Sequence, residues 1–417
     1  MKPLLSKNPP LSRLKTFTRQ YPNQFWLMFA GMLLSTMGTS MIWPFLMIYV
    51  SSKLDQPLVV AASLFSINSL VSLGAAFIAG PIADRVGRKG VLVVSLIGNG
   101  MIYLLMGQAS SVLHFAVLMF FWGIFNPLYR VGGDAMVADL VEPRQRPDAY
   151  ALLRMSNNAG IAIGPAIGGF IATSSYSIAF ICAAAGLTGY GLLLLFFAHE
   201  TLPASPADRP KSRQPFEGYG TVFHDKQFIT AVIAFTFAQM ASVSVWVLMS
   251  VYAKTNYGLP ESRYGLIAAT NAIMVIFFQL AVTQRTKRHS PLLVMAGGTA
   301  IYAVASGSVS FATGFWGFWI CMVVMTIGEL MLVPTSSTYA ANLAPADMRG
   351  RYMSIYSLSW GIASGIASPL GGFLNDAINP QAIWYGAATM GSIGMVIFLM
   401  LWRKQPRAET LVNLTTE

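Results

Sequence analysis

The chain of 417 residues is 55% hydrophobic and 10% charged, with a mean hydropathy of +0.57. Soluble globular domains carry about a quarter charged residues, so this composition excludes an ordinary soluble protein and points to a polytopic membrane protein. Twenty-seven Lys and Arg against 16 Asp and Glu give a net charge of +11, but the cations fall in the gaps between apolar runs, where they report topology rather than nucleic-acid binding.

Residues 1–23 are basic and proline-containing, without the apolar core of a signal peptide, and read as a cytoplasmic tail. Apolar runs long enough to cross about 30 Å of hydrocarbon follow at 24–50, 58–82, 91–109, 112–138, 149–172 and 177–198, then at 227–253, 262–283, 291–311, 315–341, 349–373 and 380–402. Backbone groups in lipid must be paired within their own segment, so each run is predicted to be a helix. All Lys and Arg except Lys53, Arg130, Lys254 and Arg263 can be placed on one side, which predicts both termini in the cytoplasm. Cys182 and Cys321 sit inside apolar runs and read as small buried hydrophobes, not as a disulfide or metal pair.

Between the second and third runs lies the turn Gly80-Pro-Ile-Ala-Asp84-Arg85-Val-Gly87-Arg88-Lys89. Gly80 is expected to let two helix backbones approach, and Gly87 to take the positive φ of a tight reversal. Arg85, Arg88 and Lys89 fix the turn on the cytoplasmic side. Asp84 among them is either neutralised locally or aimed at a neighbouring helix N-terminus. The turn resembles the Gly-x-x-x-Asp-Arg-x-Gly-Arg-Lys/Arg signature of the major facilitator superfamily of secondary transporters, matched at Gly80, Asp84, Arg85, Gly87, Arg88 and Lys89. That resemblance implies a gating turn.

The fourth run carries Arg130 and Asp134, four residues apart and so on one helix face. They are read either as a proton-exchanging pair or as a structural ion pair that keeps the helix insertable. Arg130 looks like the arginine this family often carries on its fourth span, although its context here is Arg-Val-Gly-Gly-Asp. Asp139 and Glu142, beside Arg144 and Arg146, read as interfacial latch pairs. In the fifth run Gly160, Gly164 and Gly168 recur every fourth residue with Pro165 and Gly169, a flat stripe for close helix packing. This resembles the glycine-proline motif of the family's drug:proton antiporter branch.

The longest polar gap, 199–226, carries four prolines and divides the chain into two groups of six runs, with a short amphipathic helix expected near 216–223. The halves echo each other at an offset of about 200 residues. Asp139-Leu140 matches Asn342-Leu343, and Gly168-Gly169-Phe170 matches Gly371-Gly372-Phe373. The opening turn has a degenerate copy at Gln284 to Arg288 that lacks the carboxylate. In this register Asn126 is the counterpart of Glu329, a carboxylate in the tenth run with no cation in its own segment. Hydrocarbon disfavours its charged form, which makes it the first candidate for loading and releasing protons. The four histidines fall at run ends or in gaps, leaving proton exchange to carboxylates. Trp43, Tyr49 and Asn68 in the first half, with Gln239, Trp246, Tyr252, Asn271 and Gln279 in the second, are candidates to line a cavity.

The expected protein is an all-α integral membrane protein of 12 transmembrane helices in two six-helix bundles, 24–198 and 227–402. A linker at 199–226 joins the bundles, and tails lie at 1–23 and 403–417. Nothing resembles a nucleotide-binding loop, a metal cluster or a nucleophile with its base, so transport rather than catalysis is expected, with no cofactor and a proton gradient as the energy source. The resemblance implies a monomer in the cell membrane that exports lipophilic or cationic small molecules in exchange for protons. An uptake carrier for a sugar, peptide or metabolite, or a transport-dead or lipid-handling protein of the same fold, remains the alternative.

Overall fold

A computed structural model describes residues 21–142, 144–202, 219–345 and 348–404. Residues 1–20 and 405–417 of the expected tails and most of the expected linker, residues 203–218, lie outside the described residues. Helices α1 (Asn23–Ile42) and α2 (Leu46–Leu54) are joined by a 3-10 turn at Trp43–Phe45, where Pro44 interrupts the ladder. They are followed by α3 (Leu58–Val86), α4 (Arg88–Met106), α5 (Val112–Leu140), α6 (Arg146–Ser174) and α7 (Tyr176–Phe197). The second half contains α8 (Tyr219–His224), α9 (Lys226–Tyr257), α10 (Glu261–Thr286), α11 (Pro291–Ser308), α12 (Gly314–Leu343), α13 (Arg349–Ala377) and α14 (Ala382–Lys404). The short α8 falls where the amphipathic helix was expected.

Ten of these segments are long and apolar enough to cross a membrane, with α1 and α2 counting as one. The sequence led to an expectation of twelve. The two that differ, α6 and α13, are 29 residues each, ample for a crossing at about 1.5 Å per residue, but their polar and glycine-rich faces dilute their hydropathy. These same two helices do the closest packing. Helix α6 lies against α1 in its own half and α10 in the other; α13 lies against α9 in its own half and α3 in the other.

The glycines account for this closeness. Cβ atoms at Gly160 and Gly164 would fall 2.8 Å from Thr36 Cβ and 2.6 Å from the Met37 carbonyl oxygen of α1. At Gly168 a Cβ would overlap Met41 of α1, whereas at Gly169 it would meet the Glu261 carbonyl oxygen of α10. The repeat holds in space, because Gly372 of α13 faces Val59 at the start of α3, with 2.6 Å from a built Cβ to its Cα. The expected stripe is therefore two stripes, one within the half and one across it.

The hydrogen bonds that join the halves cluster toward one end. Asp376 of α13 accepts from Val59 N–H at 2.8 Å, so a carboxylate of one half caps a helix N-terminus of the other, where the macrodipole favours it. Ser66 donates to the Gly365 carbonyl at 2.7 Å, and Thr173 Oγ1 accepts from Ser262 N–H at 3.2 Å. Tyr176 donates to Glu261 at 2.6 Å, and Lys254 pairs with the same carboxylate, which is only 4% exposed as a residue. At the opposite end, a Cβ on Gly80 would meet nothing within 4 Å. The expected close approach at Gly80 is thus corrected: α3 meets α13 nearer its start, and the halves part before Gly80.

Candidate functional site

A cavity of about 580 Å³ opens between the two halves, within the size range of small-molecule sites. Trp43, Asn68 and Asn126 line it from the first half, and Trp246, Asn271, Gln279 and Glu329 from the second. Tyr49, Gln239 and Tyr252 do not. Tyr49 donates to the Gly107 carbonyl at 2.9 Å and packs among Phe115, Tyr176 and Phe180, held in the core of its own half. Gln239 lies one turn along α9 from the lining residue Val243, at a fully buried position. Tyr252 is buried against Trp384 and Phe318.

Glu329 is half-buried in the wall, and its Oε2 accepts from Asn271 Nδ2 at 2.7 Å. Asn271 also reaches Thr326 Oγ1 at 3.0 Å, which fixes the amide and so aims its donor at the carboxylate. The sequence shows no cation in the same segment, but the fold supplies one from the other half. Arg154 of α6 lines the same cavity, and its charge acts on Glu329. Sequence reasoning passed over Arg154, which lies inside the fifth run. The signal was present: Arg154, Asn157, Asn158, Ile161 and Pro165 repeat at helical spacing, and all five face the cavity.

Arg130 and Asp134 do not form the expected direct ion pair and do not line the cavity. Helix α5 presents Trp122, Asn126 and Tyr129 to the cavity. Arg130 and Asp134 lie on the face rotated about 100° from that one, and both are exposed.

The turn between α3 and α4 is a single residue, Gly87, with φ +104°. A Cβ there would also overlap the Glu200 carboxylate, a side-chain end that can move aside, so it is the positive φ that requires glycine. Asp84 is neutralised locally by Arg88 Nη1 at 3.0 Å. The carboxylate at a helix N-terminus is instead Glu200, which accepts from Arg88 N–H at 2.9 Å and Lys89 N–H at 3.1 Å. Asp139 bonds Arg88 Nε at 3.1 Å rather than pairing with Arg144 or Arg146, and it also accepts from Thr201 at 3.0 Å. Arg88, 4% exposed, is therefore the hub that ties α3, α4 and α5 together at this end, while Arg85 is exposed.

Comparison with known proteins agrees with this architecture. The sequence profile of the Major Facilitator Superfamily matches residues 28–260 and again 231–416. A Na(+), Li(+), K(+)/H(+) antiporter of Planococcus maritimus is 27% identical over 403 residues, covering 88% of this chain and 92% of that protein. The multidrug resistance protein MdtH of Klebsiella pneumoniae is 25% identical, covering 89% and 91%. Among solved structures, a POT family transporter in complex with 5-aminolevulinic acid superposes with a TM-score of 0.75 at 15% identity, covering 91% of this chain and 96% of that one. The chain belongs to the major facilitator superfamily, a multi-pass membrane family of transporters, and it resembles the drug:proton antiporters within it.

Proposed function

We propose that the chain is a proton-coupled secondary transporter that exports lipophilic or cationic small molecules by alternating access. Two bundles of six membrane-crossing helices, 24–198 and 227–402, rock about the central cavity. The observation that carries this reading is Glu329, a half-buried carboxylate in the wall of a cavity shared by both halves, placed where a proton and a cationic ligand can compete for it. The antiporter and multidrug names of the relatives support exchange and export. The basic turn at Arg85, Arg88 and Lys89 orients its end toward the cytoplasm, so the end closed by Tyr176, Glu261 and Asp376 faces outward. The cavity then belongs to a state accessible from inside, ready to take up cargo for export.

A second reading, uptake of a specific metabolite, is favoured by the six asparagines at positions 68, 99, 126, 157, 158 and 271 that line the cavity. The test is rhodamine 123 movement in proteoliposomes under an imposed pH gradient. Dye is expected to accumulate on the side of higher proton concentration, to reverse direction when the gradient is reversed, and to stop with a protonophore. Dye that moves together with protons supports the uptake direction, and a distribution indifferent to the gradient refutes proton coupling.

A further inference from the structure

The cavity is dipolar. Arg154 is the cation in its lining and Glu329 the carboxylate, on opposite halves of the protein. Glu329 already has a hydrogen-bond donor in Asn271. Arg154 has no acid within ion-pair distance among the described residues. A guanidinium presents five donors in a planar fork whose shape matches a carboxylate, and the exposed Arg154 presents that fork to the open cavity. Beside it, one helical turn on, stand Asn157 and Asn158. The Asn157 carbonyl oxygen is occupied by Thr36 Oγ1 at 3.1 Å, so the amide donors are what this residue offers the cavity. Indole rings of Trp43, Trp246 and Trp360 form walls on which a flat apolar body can rest.

A purely cationic solute would satisfy Glu329 and be repelled by Arg154. A solute with both charges satisfies both walls. We infer that Arg154 is a carboxylate anchor and that the preferred cargo is an aromatic zwitterion, bearing one carboxylate and one cationic group. This inference rests on the export reading above, since it names the chemical class of cargo for the same cavity. It also gives the two halves a shared task, because a ligand that bridges Arg154 and Glu329 bonds one wall from each half and so bears on their relative position.

Rhodamine 110 and rhodamine 123 share one cationic ring system and differ in a free carboxylate against its methyl ester. Equilibrium binding of each to the purified full-length chain near neutral pH isolates the carboxylate contribution. The wild type is expected to bind rhodamine 110 about tenfold or more tightly than rhodamine 123, the effect of one charge-assisted pair. Arg154→Gln is expected to collapse that ratio to about one, and Arg154→Lys, which keeps the charge and loses the fork, to retain part of it. Glu329→Gln is expected to weaken both dyes. A wild-type ratio near one, or a ratio that survives Arg154→Gln, overturns the inference while leaving export of cations standing. Preference for rhodamine 110 without any gradient-driven movement of either dye supports the anchor and refutes the export reading. Absence of binding by either dye overturns both.

Discussion

Replacing Glu329 with Gln is expected to reduce gradient-driven dye movement in proteoliposomes to the rate of empty liposomes, while thermal stability changes by less than about 1 kcal/mol. The separation of the two effects follows from the local chemistry. Gln is isosteric with Glu and retains an oxygen that can accept from Asn271 Nδ2, so the 2.7 Å bond and the packing around it persist. What is lost is the ability to carry a proton. Arg154, fixed on the opposite half, then faces a wall whose charge no longer changes. Because His114, His199, His224 and His289 lie at helix ends or in turns, no imidazole in the cavity lining is placed to take over the exchange. A variant that still couples dye to the gradient would assign the proton to another group, and Asp134 would be the next to test. A variant that fails to fold would show that the carboxylate is structural.

The second large effect is a contrast between two glycines on neighbouring stripes. A Cβ at Gly168 would overlap backbone atoms of Met41 in α1, inside the first half. A Cβ at Gly265 would overlap the Pro165 carbonyl oxygen, across the two halves. Backbone cannot yield as a flexible side chain can, so Gly168→Val is expected to cost about 3 kcal/mol of stability, read as a lowered Tm in detergent. Gly265→Ala meets an interface that can separate without unfolding. It is expected to leave Tm nearly unchanged and to shift the population away from the state closed at the Glu261 end. The reporter is Ser69→Cys in a chain with Cys182 and Cys321 replaced by Ala. Ser69 is 6% exposed and faces Gly365 across the halves. Labelling of this thiol by a membrane-impermeant maleimide is expected to rise about tenfold with Gly265→Ala, the result of a population shift of about 1.4 kcal/mol. Equal loss of Tm in both variants would mean that the two stripes are one structural seam.

What was legible in the sequence had local causes. The helices follow from apolar runs in a chain that must pair its own backbone, and Gly87 follows from a reversal too short for any other residue. The small-residue stripe of α6 was visible from its spacing, although its division between α1 and α10 was not, because spacing names a face and not the neighbour that meets it. The residues missed are those whose partners lie far along the chain. Glu200 caps α4 from 112 positions away, Asp376 caps α3 from 317, and Arg154 meets the field of Glu329 only after the halves assemble. Two placements were not legible because position along a helix was read without its rotation or depth. Arg130 and Asp134 share a face, but not the face that lines the cavity, and Gln239 lies one turn beyond the lining residue Val243. Gly80 belongs to a family signature and still meets open space, because in this state the two halves have already parted there.

The most direct test of alternating access is to measure both ends of one molecule. Spin labels at Gln56→Cys and Ile378→Cys report the end held by Asp376, and a second pair at Arg85→Cys and Lys287→Cys reports the end of the basic turn; all four positions are exposed. Distances are recorded by double electron–electron resonance in lipid with and without a saturating aromatic zwitterion, at low and high pH. The account predicts that the Gln56 to Ile378 distance lengthens under the same conditions that shorten the Arg85 to Lys287 distance, and that Glu329→Gln removes the pH dependence. Distances that stay fixed at both ends, or that lengthen together, would contradict a rocking exchange about the central cavity.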